Sequence, residues 1–297
     1  MGYLLALAAV FFWSFNIIIA SYFSGMLSPW ELAFGRWFIA SLILLPFTFG
    51  KFKTCFNQLI KHKWLILWLA LSGVVIDNTL IYYAGRTASA INMGLLNITG
   101  PIFLVILSRI FLKTPIFPKQ VIGLLIAIVG VLVIILHGNM SQLTKLNFVP
   151  GDFLMLINTF AFAVYSLLQI KRPQQISQSV MLTATAIVGT IIILPIMLLE
   201  NTPNSLLQLN AEDLGVILYL GIFNSILAYL AWNISLAQIG NLKAGIIYYL
   251  LPIFSGIEAA LILGEKIYPS EIAGGALIIL GIMLTNMPNN KSARQLK

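Results

Sequence analysis

Along this chain the apolar residues come in long unbroken runs, with polar positions confined to short gaps between them. Runs of roughly 18 or more mostly apolar residues are the length that crosses a bilayer as a helix. They predict ten helices, at residues 3–24, 29–50, 64–85, 88–111, 119–137, 151–171, 177–199, 212–234, 241–263 and 270–287. Few residues are left for connections, and no stretch suits a soluble domain. The expected fold class is an all-α integral membrane protein with ten transmembrane helices.

The pattern also repeats. Residues 245–281 align without a gap on residues 94–130, 151 positions upstream, with eleven of thirty-seven positions identical. The identities include Gly94/Gly245, Pro101/Pro252 with Ile-Phe after each, Pro118/Pro269, Gly123/Gly274 and Gly130/Gly281. Apolar residues coincide easily in so apolar a chain, but prolines and glycines falling on one offset mark a duplication. An offset of 149 aligns the starts of the two units, putting Trp13 on Phe162, Asn16 on Tyr165 and Pro46 on Pro195. The expected organisation is a five-helix repeat at 1–137, a linker at 138–150, a second repeat at 151–287 and a cytoplasmic tail at 288–297. Five is odd, so the second unit enters the membrane from the opposite side and the repeats are inverted. Secondary transporters use this architecture to hold a substrate near the midplane and expose it alternately to either side.

Composition fits a bilayer as solvent: 60% of residues are apolar and 9% charged. The net charge of +8 does not imply nucleic acid, because the basic residues segregate by side. With a cytoplasmic amino terminus, Lys51, Lys53, Lys61, Lys63, Arg109, Lys113, Lys119, Lys171, Arg172, Lys243, Lys291, Arg294 and Lys297 fall inside. Only Arg86, Lys145 and Lys266 fall outside, and Arg36 lies within a span, as the positive-inside rule requires. The first helix lacks the basic flank of a signal peptide. Cys55 is the single cysteine and reads as a free thiol.

Candidate chemistry sits inside the spans. A helical proline frees the carbonyl four residues earlier, so Pro101 frees that of Asn97 and Pro252 that of Tyr248; such groups suit the wall of a wet cavity. Intramembrane charges need a partner or a use. Arg36, Asp77 and Glu258 are expected at one depth, with Arg36 pairing one carboxylate and leaving the other to carry a proton; the alternative is a purely structural ion cluster. Trp13, Asn16, Asn78, Tyr82, Tyr165, Tyr229 and Trp232 are candidates for a substrate-contacting wall, since apolar bodies with polar tips suit amphipathic metabolites, although each also suits interhelical packing. Ser28-Pro29-Trp30-Glu31 reads as a helix cap, and residues 51–63 as a short basic connection. His62 and His137 stand alone, and no metal cluster, phosphate-binding loop or cofactor site is readable.

Three features, the unit ending Pro-Ile-Phe…Leu-Gly-Glu265…Gly274…Gly281, the Arg36-bearing second helix (LAFGRW) and the Trp13-bearing first helix, together resemble EamA-type members of the drug/metabolite transporter superfamily over essentially the whole chain. The resemblance implies a ten-helix transporter of the cell inner membrane, with a central cavity walled by helices 1, 3, 4, 6, 8 and 9. It also implies export of amino acids or related metabolites, or import of a nutrient such as S-adenosylmethionine. One departure is that Leu-Gly-Glu at the end of helix 9 is replaced by Leu112-Lys113-Thr114 in the first unit. A secondary active exporter is the leading expectation, working as a monomer or weak dimer in the lipid bilayer with a small-molecule substrate and proton coupling. A membrane-embedded enzyme and a passive channel are the other readings, but no convergent nucleophile or repeated polar ring favours them.

Overall fold

The computed structural model describes residues 1–22, 27–88, 90–139, 141, 143, 148–200, 209–264 and 267–286. Ten helical units run through them in chain order. They are α1 (Gly2–Tyr22), α2 (Pro29–Thr54), α3 (Lys63–Ala84), α4 (Ala90–Asn97 and Thr99–Phe111) and α5 (Pro118–Ile135). The second five are α6 (Pro150–Gln169), α7 (Gln178–Leu199), α8 (Ala211–Ile239), α9 (Asn241–Ile247, Tyr248–Leu250 and Leu251–Leu263) and α10 (Pro269–Asn286). Among the described residues nine units are long and apolar enough to cross a membrane, and α1 adds the shorter apolar stretch Gly2–Asn16. Phe47, Leu198 and Leu261 are 83%, 69% and 81% exposed, a surface that suits hydrocarbon and not water.

Local chemistry starts and breaks these helices where the sequence puts its punctuation. Proline opens α2, α5, α6 and α10, where its missing N–H costs nothing. At α2 the Ser28 hydroxyl accepts the Glu31 N–H at 3.2 Å while Glu31 accepts the Ser28 N–H at 2.8 Å, the reciprocal cap expected there. Pro101 and Pro252 each sit just past an irregular turn. α4 breaks at Ile98, and α9 tightens to a 3₁₀ turn over Tyr248–Leu250.

Three local features differ from expectation. α2 runs on to Thr54 and the basic connection forms a further short helix, Phe56–Lys61, because no breaker separates Gly50 from Thr54. α3 and α8 each contain a widened π-helical stretch, Leu71–Ile76 and Leu220–Leu227, which the apolar pattern does not reveal. Lys145, Glu265, Lys266, Lys291, Arg294 and Lys297, with residues 140, 142 and 144–147 of the predicted linker and the whole 288–297 tail, lie outside the described residues.

Packing relates the halves by a two-fold. α3 and α4 pack on α6, and their counterparts α8 and α9 pack on α1, so each repeat's first helix nests in the other repeat. α2 packs on α7 with Ser41 against Thr190 (3.4 Å) and Thr48 against Thr183 (3.1 Å), an antiparallel order. α5 packs on α10, also antiparallel. A Cβ added at Gly123 would lie 2.6 Å from the Gly281 carbonyl oxygen, and one at Gly130 would lie 2.6 Å from that of Gly274. Only glycine lets these backbones meet so closely. Antiparallel pairing of equivalent helices makes the ten-helix bundle two inverted five-helix repeats.

Candidate functional site

Asp77 follows the π-helical stretch of α3. One carboxylate oxygen, Oδ2, accepts the Tyr229 hydroxyl at 3.0 Å and Asn78 Nδ2 at 3.3 Å, and Oδ1 accepts Asn158 Nδ2 at 3.2 Å. The same Asn158 amide donates to the Asp77 backbone carbonyl. Widening the helix leaves the Gly73 carbonyl without its regular partner, and it accepts Asn78 Nδ2 and the Tyr229 hydroxyl, each at 2.7 Å. Residues from α3, α6 and α8 thus form one polar network around one carboxylate, and all its donors are neutral.

Arg36 is 1% exposed. Its Nε donates to Ser225 Oγ at 2.8 Å and its Nη1 to the Tyr82 hydroxyl at 3.3 Å, while the guanidinium carbon lies 5.7 Å from the Trp37 ring centroid. The expected pairing with Asp77 or Glu258 does not form: neither carboxylate is among its hydrogen-bond partners. Tyr82 in turn donates to Asn16 Oδ1 at 3.3 Å.

Arg36 and Asp77 nevertheless face one space. A cavity is lined by both, together with Trp13, Asn16, Asn78, Asn97, Asn158, Phe162, Tyr229 and Tyr248 among others. An adjoining lobe shares Asp77, Asn97, Asn158, Phe162 and Tyr248 with it and adds Gly100, Pro101, Leu104, Thr159, Trp232 and Gly245. The wall is aromatic. The Trp13 ring lies 5.3 Å from Phe162, 5.5 Å from Tyr229, 5.5 Å from Trp232 and 6.1 Å from Tyr248, centroid to centroid. Its indole N–H donates to the Asn224 carbonyl at 3.2 Å, and that of Trp232 to Ser166 Oγ at 3.0 Å. The contacts with Phe162 and Tyr229 are edge-to-face, the favoured arrangement of packed aromatic rings, and those with Trp232 and Tyr248 are tilted.

Four predicted site residues stand elsewhere. Tyr82 lines neither cavity; its hydroxyl accepts Arg36 Nη1 and donates to Asn16, both of which line the larger one. Tyr165 is fully buried behind the wall, its hydroxyl accepting Asn233 Nδ2 at 2.7 Å and Gln169 Nε2 at 2.9 Å, because its ring fills the gap left by Gly73. Pro252 lines neither cavity; the wall at that turn is made by Tyr248, and by Leu251 in the larger cavity. Glu258 lines neither cavity, so the three charged groups do not form one cluster: Glu258 faces α1, where its Oε1 accepts the Ser14 hydroxyl at 2.5 Å. Asn97 and Tyr248 do come together, the Tyr248 hydroxyl donating to Asn97 Oδ1 at 3.4 Å.

Sequence reasoning did not single out Asn158 or Phe162 as site residues. They are four apart, on one helical face of α6, and an amide inside an otherwise apolar span was the available signal. Among the described residues no cluster of His, Cys, Asp and Glu has the arrangement of a metal site.

Comparison with known proteins agrees with this architecture. The chain is 28% identical over 284 residues to an uncharacterized transporter, YyaM, of Bacillus subtilis (strain 168), covering 95% of this chain and 92% of that one. It is 28% identical over 287 residues to an uncharacterized transporter of Archaeoglobus fulgidus, covering 95% and 96%. A probable terminal-alkyne amino-acid exporter of Streptantibioticus cattleyicolor is 27% identical over 187 residues, 63% of this chain and 61% of that one. A crystal structure at 17% identity superposes with a TM-score of 0.78 over 100% of this chain and 98% of the other, which speaks to fold alone. The sequence model of the EamA-like transporter family matches residues 1–136 and again 149–287. With both halves of its inverted repeat matched in this way, the chain belongs to the EamA-like transporter family.

Proposed function

We propose that this membrane transporter is a secondary active carrier that exports amino acids or related small metabolites, by alternating access between the repeats at 1–137 and 151–287. The observation that carries the reading is the cavity itself. Both repeats contribute to it: Trp13, Arg36, Asp77 and Asn97 come from the first, Asn158, Phe162, Tyr229 and Tyr248 from the second. A site shared by two inverted halves changes sides when one half rocks against the other. The relative named as a probable amino-acid exporter supports the substrate class and direction. The bias of lysine and arginine supports cytoplasmic termini in a cell inner membrane. Coupling to protons is assigned to Asp77, the carboxylate inside the cavity.

Purified protein in proteoliposomes tests the reading. A carrier gives saturable flux and counterflow of labelled substrate, whereas a pore gives neither. Flux that stays linear in concentration, with no counterflow for any metabolite, would reject alternating access.

A further inference from the structure

Arg36 is nine-tenths buried and more, yet among the described residues its hydrogen bonds go to two neutral hydroxyls, through Nε and Nη1. Its remaining N–H donors belong to a side chain that lines the larger cavity. A guanidinium taken out of water without an anion is costly unless something anionic arrives. Asp77 lines the same cavity and is held by neutral donors alone, the Tyr229 hydroxyl and the amides of Asn78 and Asn158. The two opposite charges face one space without closing on each other. That space therefore has a positive pole on α2 and a negative pole on α3. The second lobe shares Asp77 with this space, and away from that carboxylate its wall at Pro101, Leu104, Phe162 and Trp232 is apolar.

We propose that this cavity is a two-pole receptor for a zwitterion, with Arg36 binding the carboxylate, Asp77 the ammonium group, and the lobe between α4, α6 and α9 an uncharged apolar side chain. The site then takes neutral apolar α-amino acids and rejects compounds with one charge. A carboxylate suits the planar fork of Arg36, which binds it bidentately. An ammonium group suits Asp77, whose side-chain hydrogen-bond donors are all neutral. A monocarboxylate leaves Asp77 unpaired, and a simple amine leaves Arg36 unpaired. Either loses more than the missing contact, because a buried charge stays unmatched. A side-chain carboxylate in that lobe meets the Asp77 carboxylate and no cation, so acidic amino acids are excluded as well. The inference rests on the transport reading of the same cavity.

Counterflow and thermal-shift measurements on the full-length protein, with L-leucine, L-methionine and L-phenylalanine against two truncated probes, test it. The probes are 3-methylbutylamine, which is leucine without its carboxylate, and 4-methylpentanoate, which is leucine without its ammonium. The zwitterions are expected to compete at least about tenfold better than either probe. In Arg36→Gln the preference over the amine narrows while the preference over the carboxylate persists; in Asp77→Asn the reverse holds. Equal competition by a singly charged probe on the unaltered protein overturns the proposal, and this comparison needs no variant to fold. So does an identical loss toward all probes in both variants. Counterflow of other metabolites with no response to any neutral amino acid overturns the zwitterion assignment and leaves the transport reading standing; absence of counterflow for every solute removes the transport reading itself.

Discussion

The Tyr229 hydroxyl has one proton and two acceptors in reach, the Gly73 carbonyl at 2.7 Å and Asp77 Oδ2 at 3.0 Å. With Asp77 ionised the proton serves the carboxylate. With Asp77 protonated, the acid can donate to the phenolic oxygen and Tyr229 turns to Gly73. Arg36, Asn78, Asn158 and Tyr248 line the same cavity, but Asp77 is the carboxylate among its lining residues, and the amides do not titrate. Asp77→Asn is therefore expected to abolish the response of flux to a pH gradient, measured in proteoliposomes with a fixed substrate gradient. Glu258→Gln, outside the cavity, leaves it intact. A response that survives in the first variant and vanishes in the second would move the coupling site to Glu258. Asn158 has a different task, since it holds both the carboxylate and the backbone of residue 77. Asn158→Leu strands those acceptors and is expected to cost roughly 1–3 kcal/mol of stability, readable as a lower melting temperature in detergent; an unchanged melting temperature would show that water replaces the amide without loss.

At the scale of the helix, the π-helical stretch of α3 presents Gly73 to the ring of Tyr165, and a Cβ at that position would overlap the ring. Gly73→Ala should destabilise the protein by about 1–3 kcal/mol through overpacking. Tyr165→Leu should recover part of that loss, because it removes the overlapping ring; if the double variant is no more stable than Gly73→Ala alone, the contact is not the cause. Proline positions were legible in the chain, and so were the carbonyls of Asn97 and Tyr248 as the groups they free, because a missing N–H is a local property of one residue; the break at Ile98 and the 3₁₀ turn over Tyr248–Leu250 were not. Nor were the π-helical stretches. The one in α3 goes with side chains from α3 and α8 reaching the Gly73 carbonyl, a relation between helices that no run of apolar letters encodes. Asn158 went unremarked for the same reason, while Tyr165 was mistaken for wall because its alignment with Asn16 gives a helix position and not the direction of a ring. The separation of Glu258 from Arg36 and Asp77 shows the limit of depth arguments: residues at one level in a bundle still face different neighbours.

Across the whole molecule, equivalent residues of the two repeats repeatedly touch each other. Ser41 meets Thr190, the Trp13 ring meets Phe162, and Tyr248 bonds Asn97, each pair being partners in the sequence alignment. A residue can touch its own equivalent only near the axis that exchanges the halves, so these contacts trace the two-fold through the bundle and into the cavity. The same symmetry governs α5 and α10, where Gly123 faces Gly281 and Gly130 faces Gly274. Exchange of the repeats maps Gly130 onto Gly281 and Gly274 onto Gly123, so the first contact becomes the second. A bulky residue at either member of an exchanged pair meets backbone rather than a yielding side chain, and the helices must separate. Gly130→Val and Gly281→Val are thus expected to lower the melting temperature by similar amounts, and Gly123→Val and Gly274→Val likewise. Combining Gly130→Val with Gly274→Val, which share one contact, should cost less than the sum of the two, since helices already parted there have less to lose. Strict additivity, or a marked difference between exchanged partners, would mean that α5 and α10 do not meet across the axis. If they do meet there, cysteine-reactive labelling at Lys61→Cys and Lys171→Cys must come from one face of the membrane, because the antiparallel relation of the halves puts the end of the second helix and the end of the sixth on the same side.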